Sequence, residues 1–190
     1  FGILGYAIGR VAGKSYEQFM REEVFEPLGL ENTEIPSAAP ALPWAVRYGD
    51  EKTALPFYDF DHRGASAVFA SAHDLARFGM LHVKTPMRDQ KRILSDGSID
   101  EMQQAIGGPD ASQRYGIGWM LYADLGGLRV VHHGGSMGGV RTQLSLVPEE
   151  KVVVVVLANR HSSFVDQIRD EILSAMFPDF RKRRAAQRRE

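Results

Sequence analysis

Four strand-like runs follow one another between Tyr115 and Ala158 with very little chain between them, and that spacing limits the possible folds more than any other feature. The runs are Tyr115–Tyr122, Leu128–His132, Val140–Val147 and Val152–Ala158, rich in β-branched and aromatic residues and separated by Gly- or Pro-bearing links. A parallel connection needs a crossover of a dozen or more residues, so links this short leave only antiparallel neighbours. Val152–Val156 is uncharged and reads as a strand buried on both faces. Helical patterns precede and follow the runs. Helices, then a meander, then a covering helix make an α+β fold: an antiparallel sheet covered by helices, not a doubly wound sheet.

The helical signals are local and specific. Ile3, Leu4, Ala7, Ile8 and Val11 fall at helical spacing, and Gly5, Gly9 and Gly13 share one face that admits a close neighbour. This pattern is already running at residue 1 without a capping residue or a basic leader, so the chain is expected to begin inside a domain. Ser15 with Gln18 forms a capping pattern for a helix to about Phe25, ended by Pro27 and Gly29. Residues 31–64, with Pro36, Pro40, Pro43 and Pro56, keep no period and read as a long surface excursion. Ser71 and Asp74 cap a second helix through Leu75, Phe78, Gly79 and His82, and a short helix is expected around Ile99–Ile106. The last helix, about Ser163–Phe177, places Phe164, Ile168, Ile172, Leu173 and Met176 on one side.

Composition removes whole classes of function. The chain has 190 residues and no cysteine, which excludes disulfide frameworks, zinc ribbons, iron–sulfur clusters and a cysteine nucleophile. The most apolar run is far shorter than the ~20 residues of a membrane-spanning helix. Residues 181–190 hold six basic residues and one acid, so the other 180 carry −6 of the formal −1. That acidic body argues against a nucleic-acid partner. Residues 1–180 are expected to form part of one domain, and 181–190 a solvated, frayed basic tail. Asp59, Asp61 and His62 cluster in a loop, but no second ligand set at helical spacing supports a metal site. No cofactor is expected. His73 and His82 read as ordinary amphipathic packing. Trp44 and Tyr58 read as a satellite cluster that could line a pocket.

One stretch, His132-His133-Gly134-Gly135-Ser136-Met137-Gly138-Gly139, carries two chemical readings. Taken as G-x-S-x-G, residues 134–138 form a nucleophile elbow that exposes Ser136 between a strand and a helix, as in α/β-hydrolases. Such an enzyme needs an acid and then a histidine downstream of the serine. Here only Glu149 and Glu150 precede His161, and too little chain follows to complete that fold.

The other reading uses nearly the whole chain. It rests on Tyr6–Gly13, on Ser15-Tyr16, on Val24-Phe25-Glu26-Pro27-Leu28-Gly29-Leu30 with Thr33, and on Ala70–Gly79 (ASAHDLARFG). Tyr115-Gly116-Ile117-Gly118-Trp119, His132-His133-Gly134 and Leu157-Ala158-Asn159 follow in order. Together these resemble the serine beta-lactamase and penicillin-binding-protein superfamily, in its class C-like branch of esterases and D-amino peptidases. The resemblance implies a beta-lactamase/transpeptidase-like fold with an inserted helical region, of which residues 1–180 would be the C-terminal part. It also implies a serine hydrolase that acts through an acyl-enzyme on an ester, a β-lactam or a D-amino peptide.

That mechanism uses S-x-x-K, a Tyr or Ser motif such as Y-x-N, and K-T-G or an equivalent. None of the twelve serines has Lys three residues on, and neither Asn32 nor Asn159 has Tyr two residues before it. The first two motifs are therefore expected upstream of Phe1. The third is expected at His132–Ser136. By the resemblance, His132 replaces the family's lysine and donates a hydrogen bond, or a positive charge when protonated, toward the catalytic tyrosine or the substrate carboxylate, the Gly135 N–H forms half of the oxyanion hole, and Gly134 and Ser136 border the substrate. His133 is expected on the opposite face as a structural residue. A catalytically dead relative that binds a peptide-like ligand is the alternative from outside the enzymes.

Overall fold

The β-rich half folds as its short links require. In the computed structural model, which describes residues 1–40, 43–50, 52–57, 59, 61–106, 114–161 and 164–188, four strands form one antiparallel sheet in chain order. They are β5 (Met120–Leu125), β6 (Leu128–Met137), β7 (Val140–Val147) and β8 (Val152–Ala158). The β5–β6 hairpin turns on Gly126 and Gly127, both at positive φ (60° and 90°), the combination a two-residue hairpin loop favours. Two boundaries differ from the sequence expectation. β5 starts at Met120 rather than Tyr115, because Gly118 at φ 78° breaks the extended backbone before it. β6 does not end at His132 but runs through the glycines to Met137.

Each face of the sheet has its own core. On one face Val130, Val147, Val154 and Val156 pack with Leu125, Val165, Leu173 and Phe180 beneath α5 (Val165–Met176) and α6 (Phe180–Gln187). On the other, Val131 and Leu146 pack with Val83 and Trp119 beneath α3 (Ala72–His82). α3 lies close because Gly79 has no side chain: a Cβ there would sit 2.5 Å from Val153 Cγ1.

The helical half comprises α1 (Gly2–Ala12), α2 (Tyr16–Met20) continued by a π-helical turn over Arg21–Phe25, and α4 (Asp96–Met102). Ser15, Ser71 and Ser95 cap α2, α3 and α4 by accepting from the backbone N–H three residues on, as the first two capping patterns predicted. α4 begins earlier than the apolar pattern suggested, because Ser95 supplies its cap. The excursion contains the antiparallel pair β2 (Arg47–Tyr48) with β3 (Ala54–Leu55), and its first strand β1 (Thr33–Glu34) pairs antiparallel with β4 (Phe69–Ala70), which follows it. In α1, Gly5 packs against Gly64 while Ile3, Leu4, Tyr6 and Val11 face solvent. No helix among the described residues is long and apolar enough to cross a membrane.

Buried polar clamps join the halves. The Asp74 carboxylate accepts from the Asn32 N–H (2.7 Å) and Thr33 Oγ1 (2.8 Å). Arg77 donates from Nε and Nη2 to the Leu28 carbonyl (3.2 and 3.0 Å) and from Nη2 to Asp89 (2.8 Å). Gly29, at φ 63°, leaves room for that guanidinium, since a Cβ would lie 2.6 Å from Nη2.

Two expectations for the C-terminal region are corrected. Residues 180–187 are helical rather than frayed: Phe180 is 2% exposed and seats on the Gly126 turn, and Arg184 and Arg188 reach Asp170. In α5 only Leu173 of the expected apolar side faces the sheet. The buried face instead carries Val165 with Arg169 and Asp170, and Ile168, Ile172 and Met176 are left in solvent. The charged pair is satisfied internally, so it can be buried where apolar periodicity points elsewhere.

Candidate active site

The chemistry-bearing stretch lies on a half-paired strand. β6 pairs with β7 residue for residue from Val131↔Leu146 to Met137↔Val140. On its other side the last rung is Met120↔His132. Residues 133–137 therefore have no strand beyond them among the described residues, and this edge can accept an extended group by main-chain hydrogen bonds. The two central glycines let side chains of β7 lie close against the strand. A Cβ at Gly134 would lie 2.7 Å from Gln143 Oε1, and one at Gly135 would lie 2.7 Å from Thr142 Oγ1.

The two histidines sit on opposite faces, as strand alternation requires, but their environments are the reverse of the expectation. His132 is the buried one, 7% exposed on the α5 side. Its ring lies on Tyr122, centroids 4.5 Å apart and planes within 5°, and Gln143 Nε2 donates to its Nδ1 at 3.0 Å. That bond leaves the proton of the neutral ring on Nε2. Burial, reinforced by the Arg169 guanidinium, pushes His132 down to about 4. His133 is exposed, and its Nε2 shares a hydrogen bond of 3.3 Å with the Tyr115 hydroxyl. Solvent and solute reach His133, not His132.

Ser136 is exposed within β6, and a two-residue turn leads from β6 into β7. No helix follows the serine. This overturns the elbow reading, because strand–turn–helix is what exposes a nucleophile in that fold.

The excursion is lashed to this end of the sheet. The Tyr48 N–H donates to the Asn159 carbonyl (3.0 Å), Asn159 Nδ2 to the Val46 carbonyl (2.8 Å), and Arg47 Nη1 to the Gly138 carbonyl (3.4 Å). Gly139, at φ 71°, has the Tyr48 N–H 2.8 Å from where a Cβ would be. Trp44 packs edge-on to Phe57 and Phe69 in a satellite cluster, and Tyr58 lies outside the described residues.

The remaining candidates have other partners. Asp59 pairs with Arg63 and Asp61 with His62, each at 2.6 Å. No group of three or more His, Cys, Asp or Glu that could hold a metal occurs among the described residues. His73 is exposed, whereas His82 is buried between Phe78 and Trp119 and pushed down by burial to about 4. Sequence reasoning missed Tyr115, Tyr122, Gln143 and Arg169. Gln143 and Ser145, polar residues two apart and so on one face of β7, were the readable sign of a buried polar partner across the sheet.

Residues 1–176 match the family model described as Beta-lactamase. The chain belongs to the beta-lactamase family. Penicillin-binding protein 4 of Amycolatopsis lactamdurans is 29% identical over 187 residues, covering 90% of this chain and 49% of that relative. The chain thus spans about half the length of that relative. Among solved structures, a class C beta-lactamase aligns with TM-score 0.74 at 16% identity, over 88% of this chain and 53% of that one. D-alanine carboxypeptidase AmpC from Burkholderia cenocepacia aligns with TM-score 0.73 at 18% identity, over 88% and 57%. These two likenesses show the mixed α+β fold. In this beta-lactamase family member the residues that carry the resemblance divide by task. Leu28, Gly29, Thr33, Asp74, Arg77 and Gly79 are staples of the fold, whereas His133–Ser136 line the open edge.

Proposed function

We propose that residues 133–137 of β6 form the sheet side of an acyl-transfer site. There the open edge holds the acyl group of an ester, β-lactam or D-amino peptide while a serine attacks it. The observation that carries this reading is the unpaired edge beyond His132, where Gly134 and Gly135 present bare backbone. In this reading a main-chain N–H on the open side of β6 stabilises the oxyanion, a donor of the kind whose loss costs about 2.7–4 kcal/mol. The ladder closed at Met137↔Val140 turns the Gly135 N–H toward Thr142 of β7, so the edge donors beside the substrate are the N–H groups of Gly134 and Ser136. His133, exposed beside Tyr115, is placed to donate toward the substrate the hydrogen bond first read for His132. The His132 ring, deprotonated at neutral pH and covered by α5, braces the strand from behind.

The attacking serine is supplied from outside residues 1–190, since no serine here precedes a lysine by three. The acyl step then balances simply. The serine oxygen bonds to the carbonyl carbon, its proton passes to the lysine and on to the leaving group, and water later releases the acid. A fluorophosphonate probe tests this. Residues 1–190 alone stay unlabelled, and a longer polypeptide carrying S-x-x-K is labelled at that serine. Labelling of Ser136 in the 190-residue chain overturns the proposal. An S-x-x-K polypeptide that folds and binds D-amino peptides without being labelled favours the binding-only alternative.

A further inference from the structure

Tyr115-Gly116-Ile117-Gly118-Trp119 is tied down on both sides of a tight turn. Gly118, at φ 78°, makes the turn, the Gly116 N–H closes it by donating to the Trp119 carbonyl at 2.7 Å, and Tyr115 bridges Met120. Gly116 lies against the end of α4, where a Cβ would sit 2.2 Å from the Met102 carbonyl oxygen, and the Ile117 N–H donates to that oxygen at 2.9 Å. Trp119 is buried with Val83, Val131 and Leu146. The Tyr115 carbonyl receives the Ile106 N–H at 2.7 Å. A backbone fixed at this many points also fixes where the Tyr115 side chain starts. What that side chain meets is His133: its hydroxyl lies 3.3 Å from Nε2, and the rings stand edge-on, 6.2 Å between centroids. The backbone of His133 is itself paired with Leu144, so only its ring is left to be oriented.

We propose that Tyr115 is a positioning residue: its hydroxyl donates to Nε2 of His133 and so keeps the proton of the neutral ring on Nδ1, the nitrogen nearer the strand. That N–H then donates to the acyl group held along the open edge. Acid–base chemistry sets the direction of the bond. A phenol gives up its proton more readily than a neutral imidazole N–H, and an imidazole nitrogen accepts one more readily than a phenol oxygen, so O–H···N is the favoured sense. The opposite sense, Nε2–H to the phenol oxygen, would leave Nδ1 without a proton to donate. The neighbouring ring is held the other way, since Gln143 donates to Nδ1 of His132 and leaves its proton on Nε2. Two adjacent histidines thus carry opposite tautomers, one set for packing and one for binding. Donation to an acyl group rests on the acyl-transfer reading; the tautomer of His133 does not.

Heteronuclear NMR of the histidine rings at about pH 8.5, where imidazole is ordinarily neutral, reads the tautomers directly in the 190-residue chain. His133 should show Nδ1–H and His132 Nε2–H, the His133 signals being assigned by their loss in His133→Ala. Tyr115→Phe keeps the ring contact and removes the hydroxyl, so circular dichroism should stay as it is while His133 alone changes tautomer. In a polypeptide carrying S-x-x-K, the same variant should slow fluorophosphonate labelling by about 10-fold, the scale of one misplaced hydrogen bond. In a His133→Ala background it should slow labelling no further, because Tyr115 acts through that ring. A His133 that holds Nε2–H, or an Nδ1–H tautomer that survives Tyr115→Phe, overturns the proposal. So does a loss that persists in the His133→Ala background. If the longer polypeptide resists labelling with both residues intact, the acyl-transfer reading falls instead, while the ring spectra still decide the tautomer.

Discussion

The imidazole of His132 lies flat on the ring of Tyr122, 4.5 Å between centroids. The Arg169 guanidinium stands 6.0 Å from that same ring, donating to Asp166 and Asp170. Asp170 in turn receives Arg184 and Arg188 from α6. A line of contacts thus runs from the C-terminal helix to the back of the strand whose next residue, His133, meets solvent. The open edge is rigid on one side and accessible on the other, which is what a site that orients an acyl group needs.

The two buried histidines make stability fall with acid. His82 and His132 are both pushed to about 4 by burial, against an ordinary value of 6.5. Above pH 6.5 both are neutral in folded and unfolded chains and cost nothing. Between pH 6.5 and 4 the unfolded chain takes up protons that the folded one refuses, so folding weakens; below about 4 the loss is complete. Each contributes up to about 3 kcal/mol of this loss. Urea midpoints at pH 7.5 and 4.5 should differ accordingly, and His82→Leu should remove about half the difference. An unchanged pH slope in that variant would refute the assignment.

Asp74 should be the costliest single carboxylate to remove. Its truncation leaves the part-buried Asn32 N–H and Thr33 hydroxyl without their shared acceptor. Hydrogen bonds to a charged group are worth about 1.5–3 kcal/mol each. Asp74→Ala should therefore lower stability at pH 7 by about 3 kcal/mol, and Thr33→Val by about half as much, measured by urea denaturation. If the double variant costs no more than Asp74→Ala alone, the two act as one clamp.

The sheet was legible because its links are short and its runs β-rich. Serine caps were legible because they act over three residues. What escaped the sequence depends on contacts between distant segments. Strand period alone cannot say which of two adjacent histidines faces a covering helix, and here Arg169, 37 positions after His132, decides it. The buried side of α5 was misread for the same reason, since an Arg169–Asp170 pair satisfied in place outcompetes Ile168 and Ile172. The basic terminus looked frayed until Phe180 found the Gly126 turn.

That anchor gives a direct prediction for the tail. Phe180→Ala should cost about 3–5 kcal/mol, as for other buried phenylalanines. It should also release α6, seen as lost helical circular dichroism and faster amide exchange over residues 180–187. Arg181→Ala, whose partner Glu171 is as exposed as itself, should change stability by about 0–1 kcal/mol. Equal effects from the two substitutions would mean that charge, not burial, holds the helix.

The histidine pair separates chemistry from packing. In a polypeptide carrying S-x-x-K, His133→Ala should slow acylation by about 100-fold, the scale of a lost hydrogen-bond donor at the transition state, with the thermal midpoint unchanged. An exposed strand residue contributes little packing, so stability has no reason to move. His132→Ala should do the opposite: it opens a cavity against Tyr122 and strands Gln143, costing about 2–3 kcal/mol, and any slowing should follow the loss of fold. His133→Ala with full acylation would remove that residue from the mechanism. His132→Ala that acylates slowly at unchanged stability would return the role to the buried ring, and would require α5 to move away from β6 during turnover.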